Sequence, residues 1–325
     1  MTVFVTGATG FIGQRLVKRL LAAGKSVTAL TRSAAPGLPK EVHVVQGDLL
    51  RPETYASAGE GCRRLYHLAA LITFDPRRRG ELLRVNGDGT AAILDAARRW
   101  GVERAVVVSS ACTLGLSDRP APVLDETAEA TAAMIAANPY LAGKLRCEEE
   151  TLRRANEQWA AIVNPTTVFG PEDWTLNSGT LVKQVATARV MPVPPGGSNV
   201  VDVDDVVQGI LNAGEQGRSG RRYVLGGENL PFAKIVDIIA RVTGRAPLRV
   251  PLGRWLRRPM MAAAAVAMRT TGNRFLTPQI VGDMFAYKYY SSARARGELD
   301  WNPGCRFDDS VERAWTFYRT MGLIE

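Results

Sequence analysis

The octapeptide TGATGFIG, Thr6 to Gly13, constrains this chain more than any other stretch. It joins an apolar run, TVFVTG, to an amphipathic one, FIGQRLVKRLLAAG, in which Ile12, Leu16, Leu20 and Leu21 share a helical face and Gly24 supplies the stop. Each of its three glycines answers a different steric need. Gly7 permits a tight exit from the strand, Gly10 lets the backbone of the helix N-terminus approach a phosphate, and Gly13 lets the helix lie close against the sheet. Strand, glycine turn and helix in this order predict the opening of a dinucleotide-binding unit, although the spacing is Gly-x-x-Gly-x-x-Gly rather than Gly-x-Gly-x-x-Gly.

The pattern then repeats. SVTALTR, VHVVQGD, RLYHLAA, RAVVVSS and AAIVNPTTVFGP read as five further strands, and ELLRVNGDGTAAILDAARRWG and YLAGKLRCEEETLRRANE as long helices between the later ones. Strands separated by helices at this spacing predict an α/β fold, a doubly wound Rossmann-type parallel sheet covered on both faces. Beyond Pro171 the pattern loosens through MPVPPGGSN and returns in NVVDVDDVVQGILNAG and RRYVLGG. The expected organisation is a nucleotide-binding domain from 1–170 plus about 200–227. A smaller C-terminal substrate lobe, from 171–199 and about 228–325, completes it.

Composition excludes several function classes. The net charge of +9 comes from 34 arginines and seven lysines dispersed along the chain, without a nucleic-acid recognition module, so no nucleic-acid partner is expected. Four scattered cysteines lack metal-ligand spacing, and two histidines, His43 and His67, are too few for a His-rich metal site; a reduced cytoplasmic protein without metal is expected. The opening MTVFVTG runs straight into a strand, so no leader is expected, and no apolar run approaches the ~20 residues of a membrane span. Trp255, Met260 and Met261, beside arginines in PLGRWLRRPMMAAAAVAM, are candidates for an apolar substrate pocket, for an ordinary amphipathic helix of the lobe or for weak membrane contact.

Two further features point to redox chemistry. The second strand ends in LTRS, where a carboxylate would grip the ribose 2′-hydroxyl of NAD; Arg32 stands there instead and suits the 2′-phosphate of NADP. NADP is therefore the expected cofactor, with NAD open. NPYLAGK sets Tyr140 one helical turn ahead of Lys144.

TGATGFIG, GDL, HLAA, VNGDGT, VVVSSACTLG, YLAGK and NPTTVFGP occur in the order found in extended short-chain dehydrogenases/reductases, the NAD-dependent epimerase/dehydratase family, which the chain resembles over nearly its whole length. YVLGGENLPFAKIVDIIARVTGRAP is most similar to the dihydroflavonol-reductase-like branch, which includes hopanoid-associated sugar epimerases. The resemblance implies that Thr9, Phe11 and Ile12 join Gly7, Gly10 and Gly13 at the cofactor. It also implies that Asp48 and Leu49 flank the adenine, and that His67, Ala69, Ala70 and Pro165 line the way to the nicotinamide.

By the same resemblance Ser110 joins Tyr140 and Lys144 as the catalytic set, Lys144 also holding the nicotinamide ribose. A free phenol has a pKa of about 10, and lowering it by about three units takes roughly 4 kcal/mol, which a neighbouring ammonium and an oxidised nicotinamide would supply. Tyr140 would then exchange a proton with the substrate oxygen while hydride moves to or from the nicotinamide.

The neighbouring residues narrow the reaction. Sugar dehydratases of the family place an Asp–Glu pair where this chain has Ala111 and Cys112; the 3,5-epimerase-reductases pair such a cysteine with a later histidine, and none follows His67. Ser198 stands where many nucleotide-sugar enzymes carry a diphosphate-gripping arginine, although Arg189 or Arg245 could compensate, while Asp204 and Asp205 in NVVDVDD are expected at the domain seam. The expected function is an NADP-dependent oxidoreductase interconverting a carbonyl and an alcohol on a mostly apolar small molecule. The alternatives are a nucleotide-sugar epimerase with tightly bound cofactor and a non-catalytic NADP-binding sensor or scaffold. A homodimer joined through helices near 81–100 and 140–157 is the oligomer that the resemblance implies.

Overall fold

The computed structural model describes residues 1–34, 37–271 and 277–324. Its centre is a sheet of seven parallel strands: β1 (Thr2–Thr6), β2 (Ser26–Thr31), β3 (His43–Gln46), β4 (Cys62–His67), β5 (Arg104–Val108), β6 (Ala160–Pro165) and β7 (Arg222–Leu225). Their order is β7-β6-β5-β4-β1-β2-β3, so the winding reverses between β1 and β4, and a ligand crevice forms outside the strand ends at such a reversal. The fold is Rossmann-type, as the alternating pattern predicts.

Side-chain alternation assigns the two faces. Val3 and Val5 pack with Leu16, Val17 and Leu20 of α1 (Phe11–Ala22) and with Ile210, while Phe4 between them packs with Ile93 and Leu94 on the opposite side. Helical residues 79–99, called α2, and α3 (Pro139–Arg154) cover that second face; α4 (Val203–Gln216) lies beside α1 on the first.

Two expected elements are subdivided. Within α2, Arg84–Asp88 form a π turn rather than a continuous α-helix. The widened turn carries Asn86, whose Oδ1 accepts from Leu71 N at 2.7 Å and whose Nδ2 donates to Leu71 O at 3.0 Å, so the interruption clasps the loop after β4. AAIVNPTTVFGP also changes sheets: after Pro165, Thr167–Phe169 pair with Gly197–Asp202 instead. That strand also pairs with Glu228–Pro231 and Tyr287–Lys288, forming a second, smaller sheet.

Carboxylates of NVVDVDD tie the layers together. Asp204 accepts from Arg15 of α1 and from Arg313 of helix Phe307–Thr320; Asp202 caps α4 and meets Arg313 and Ser310. Asp205 accepts from the backbone N–H groups of Gly304 and Cys305. The N-cap role belongs to Asp202, and Asp204 and Asp205 reach across to the C-terminal segment.

Candidate active site

At the β1–β4 reversal lies a groove of about 410 Å³. Gly7 has φ +71°, and a Cβ there would sit 2.6 Å from Ala69 N. A Cβ on Gly13 would sit 2.0 Å from Gly7 O, so helix and turn touch backbone to backbone. The first turn of α1 has neither a side-chain cap nor an acidic residue, which leaves its N–H groups and positive dipole end facing the groove without a protein anion. This cradle fits a dinucleotide pyrophosphate, and Gly10 is where its backbone would be approached.

Gly7, Thr9, Gly10, Arg32, Asp48, Leu49, Ala69 and Ala70 all line the groove. Phe11, Ile12 and Gly13 do not, and they could contribute only through the backbone of the first helical turn. Arg32 is exposed at the rim. Opposite stands Glu81, whose carboxyl is held low by hydrogen bonding to Arg78, with further help from Arg84 and Arg32. The groove is thus lined by two carboxylates, Asp48 and Glu81, and two guanidinium groups, Arg32 and Arg84.

His67 departs from the expectation. Its ring is buried, Nδ1 lies 2.7 Å from Thr6 Oγ1, Nε2 lies 3.0 Å from Thr90 Oγ1, and it is not among the groove's lining residues. Burial, with a smaller contribution from Lys144, pushes its pKa down to about 3. Thr90 Oγ1 gives its proton to Asn86 O at 2.6 Å, and Thr6 Oγ1 accepts from Ala69 N at 3.2 Å. With one proton per hydroxyl, the consistent arrangement runs Ala69 N–H to Thr6 to Nδ1, then Nε2–H to Thr90 to Asn86. His67 is a neutral link between the groove wall and α2.

A second cavity of about 330 Å³ contains Ser110 and Tyr140, together with Pro165. Ser110 ends the segment after β5 and caps the short turn Ala111–Leu114, its Oγ accepting from Cys112 N at 3.3 Å. Tyr140 is the second residue of α3, which starts at Pro139 and is capped by Asn138. Its ring packs on Phe74 with centroids 5.6 Å apart. Burial drives the phenol above its ordinary value, Cys112 adds to this, and a hydrogen bond with Ser110 opposes it.

Lys144 is buried one turn further on, and its Nζ donates to Val108 O at 2.9 Å. It lines neither cavity. Its positive charge lowers the pKa of His67, Cys112 and Cys147. Cys112 behaves as a packing residue, its thiol pushed up to about 11 by burial and so protonated.

Sequence reasoning missed the scaffold beneath Ser110. Glu148, four residues after Lys144, accepts from Ser109 at 2.6 Å, Thr113 at 2.8 Å and Asn164 Nδ2 at 2.6 Å, while Asn164 Nδ2 also reaches Ser110 O at 3.1 Å. Its spacing from Lys144 was a usable signal, masked by the neighbouring Glu149 and Glu150. Sequence also missed most of the cavity wall: Phe74, Leu116, Met134, Leu141, Ile280 and Tyr290 are apolar or aromatic, and Lys288 and Asp283 are its only charged residues among those described. A chamber of about 310 Å³ adjoins it, sharing Phe74, Asn138, Gln279 and Ile280 and adding Met261 and Met268, with no charged lining residue among those described.

Comparisons with known proteins identify the family and the fold. The model of the NAD dependent epimerase/dehydratase family matches residues 3–226. Sterol demethylase protein B of Methylococcus capsulatus is 34% identical over 341 residues, spanning 100% of both chains. Dihydroflavonol 4-reductase of Zea mays is 32% identical over 192 residues, 52% of this chain and 53% of the maize protein. The crystal structure of gox2253 matches with a TM-score of 0.85 at 29% identity, covering 100% of this chain and 99% of that one.

Proposed function

The chain belongs to the NAD-dependent epimerase/dehydratase family, and from that premise we propose that this enzyme interconverts a carbonyl and an alcohol on a mostly apolar small molecule, with NADP(H) as cofactor. The observation that carries the substrate class is the lining of the two chambers beside Ser110 and Tyr140. They contain no arginine among the described residues and one lysine, Lys288, so a diphosphate would enter poorly compensated. Arg189 and Arg245, the sequence's candidates to grip one, are exposed and line neither chamber, and Ser198 is buried against Thr167. The relatives named for sterol demethylation and dihydroflavonol reduction support the same class.

In this reading Gly7, Gly10 and the first turn of α1 hold the pyrophosphate, and Arg32, with Arg84 nearby, holds the 2′-phosphate. When bound, the nicotinamide supplies or accepts the hydride. Tyr140 gives a proton to the carbonyl oxygen or takes it from the alcohol, and Ser110 hydrogen-bonds that oxygen. The phenol is protonated near neutral pH, as an ordinary one would be, and burial raises its pKa further, so in the protein at rest it carries the proton that a carbonyl oxygen would take. Lys144 holds the end of β5 through Val108 O, which fixes the approach to Ser110. A homodimer along α2 and α3 remains part of the reading.

The test is NADPH oxidation by wild type and Tyr140→Phe across ketone, aldehyde, flavanone and steroid substrates. The variant should lose at least about a hundredfold in turnover, the scale of a general acid, while binding NADPH as before. Retention of more than about a tenth of the activity would refute the role of Tyr140, and turnover of nucleotide sugars alone would refute the substrate class.

A further inference from the structure

From Ile238 to Gly282 the chain runs 45 residues with eight arginines and no aspartate or glutamate. An even spread of its 32 acidic residues over 325 would place about four there, so the segment itself carries one sign of charge, with Arg241, Arg249 and Arg257 paired to Asp308, Asp237 and Asp118 from outside it. It builds strand Leu248–Pro251, the turn Arg254–Leu256 and helix Arg257–Thr271. Trp255 is 78% exposed, Leu248 66% and Val266 59%, the three most exposed large apolar side chains among the described residues.

The pattern around them is directional. Trp255, Arg258, Ala262, Val266 and Arg269 recur at steps of three and four residues, and every one is exposed. The opposite side of the helix carries Met261 and Met268 into the uncharged outer chamber. Arg257 pairs with Asp118 at 2.9 Å, and Arg254 donates to Asp118 O, which seats the start of the helix on the body of the protein. Arg258 and Arg269 make no ion pair among the described residues and flank the apolar positions. An aromatic anchor flanked by two arginines that have no acidic partner among the described residues is complementary to an anionic lipid headgroup layer.

We propose that the face built by Leu248 to Arg269 docks on the surface of an anionic bilayer, with Trp255 at headgroup level. No helix among the described residues is long and apolar enough to cross a membrane, so the contact is peripheral. The docked helix forms one wall of the outer chamber, which places a lipid-derived substrate beside its binding site; that consequence rests on the apolar substrate proposed above, whereas the docking does not.

The experiment is flotation of the full chain with vesicles of phosphatidylcholine alone or with about a third phosphatidylglycerol, at low and high salt. Wild type should float with the anionic vesicles at low salt and be released at high salt. Arg258→Glu/Arg269→Glu should weaken binding by at least about fivefold per arginine, and Trp255→Ser should weaken it too, while NADPH affinity stays unchanged as evidence of folding. Absence of flotation, or equal flotation of wild type and variants, overturns the proposal. So does a dimer in sedimentation that Trp255→Ser dissociates, without vesicle binding, because the face would then join two copies. Failure here with an intact Tyr140 phenotype leaves the catalytic reading standing, and the converse result leaves the docking standing.

Discussion

Acidification should destabilise this protein through one side chain. His67 is fully buried, both its ring nitrogens are engaged, and its pKa falls to about 3 from an ordinary 6.5. The unfolded chain therefore binds a proton that the folded one refuses at every pH between these values. A depressed folded-state pKa means that the stability is fully present above about 6.5 and is lost as pH falls, at about 1.4 kcal/mol per unit. Between pH 7 and pH 5 the loss is about 2 kcal/mol. Burial is the main cause of the refusal, and the positive charge of Lys144 adds to it. Urea unfolding at pH 7 and pH 5 for wild type and His67→Gln measures it, because other titrations cancel in the difference of differences. The variant starts less stable, and its loss on acidification should be smaller than that of wild type by about 2 kcal/mol. Parallel losses in the two proteins, or an imidazole NMR titration of His67 above pH 5.5, would refute the reasoning.

Two other substitutions test the cofactor groove. Gly13→Ala places a methyl 2.0 Å from Gly7 O, a backbone atom that cannot rotate away, so a loss of about 1–3 kcal/mol in stability and a marked loss of NADPH affinity should appear together in calorimetry. Arg32→Ala should weaken NADPH binding about tenfold, the lower range for a charge-assisted hydrogen bond, and leave NADH binding unchanged; equal effects on both cofactors would remove the 2′-phosphate role.

The main sheet was legible because fully buried parallel strands and amphipathic helices leave strong periodic signals. TVFVTG, SVTALTR and RAVVVSS read as they fold, and the glycines of TGATGFIG announce a backbone-to-backbone contact that no other residue permits. Less legible were features decided by contacts distant in sequence. The π turn at Arg84–Asp88 exists to present Asn86 to Leu71, and helical periodicity carries no trace of that. Glu148 sits in a run of three glutamates, where composition suggests solvent, yet it is buried under Ser110 because Ser109, Thr113 and Asn164 converge on it. The cavity wall comes from residues 74 to 290, from segments whose own sequences carry no shared pattern.

The position of Lys144 changes how the site's electrostatics are understood. Helix α3 lays the side chain inward, where Val108 O binds it and His67, Cys112 and Cys147 feel its charge. Lys144 thus helps to keep His67 unprotonated, since two cations within one buried layer would repel each other. A neutral His67 has one tautomer compatible with Thr6 and Thr90, and that tautomer fixes the direction of the hydrogen bonds running from Ala69 to Asn86. Ala69 lines the cofactor groove, and Asn86 clasps Leu71 in the same wall. The lysine therefore acts on the groove through His67 as well as on the end of β5. Cys112, whose thiol the charge of Lys144 lowers, lines the same cavity as Tyr140, so the ammonium is felt at that wall too.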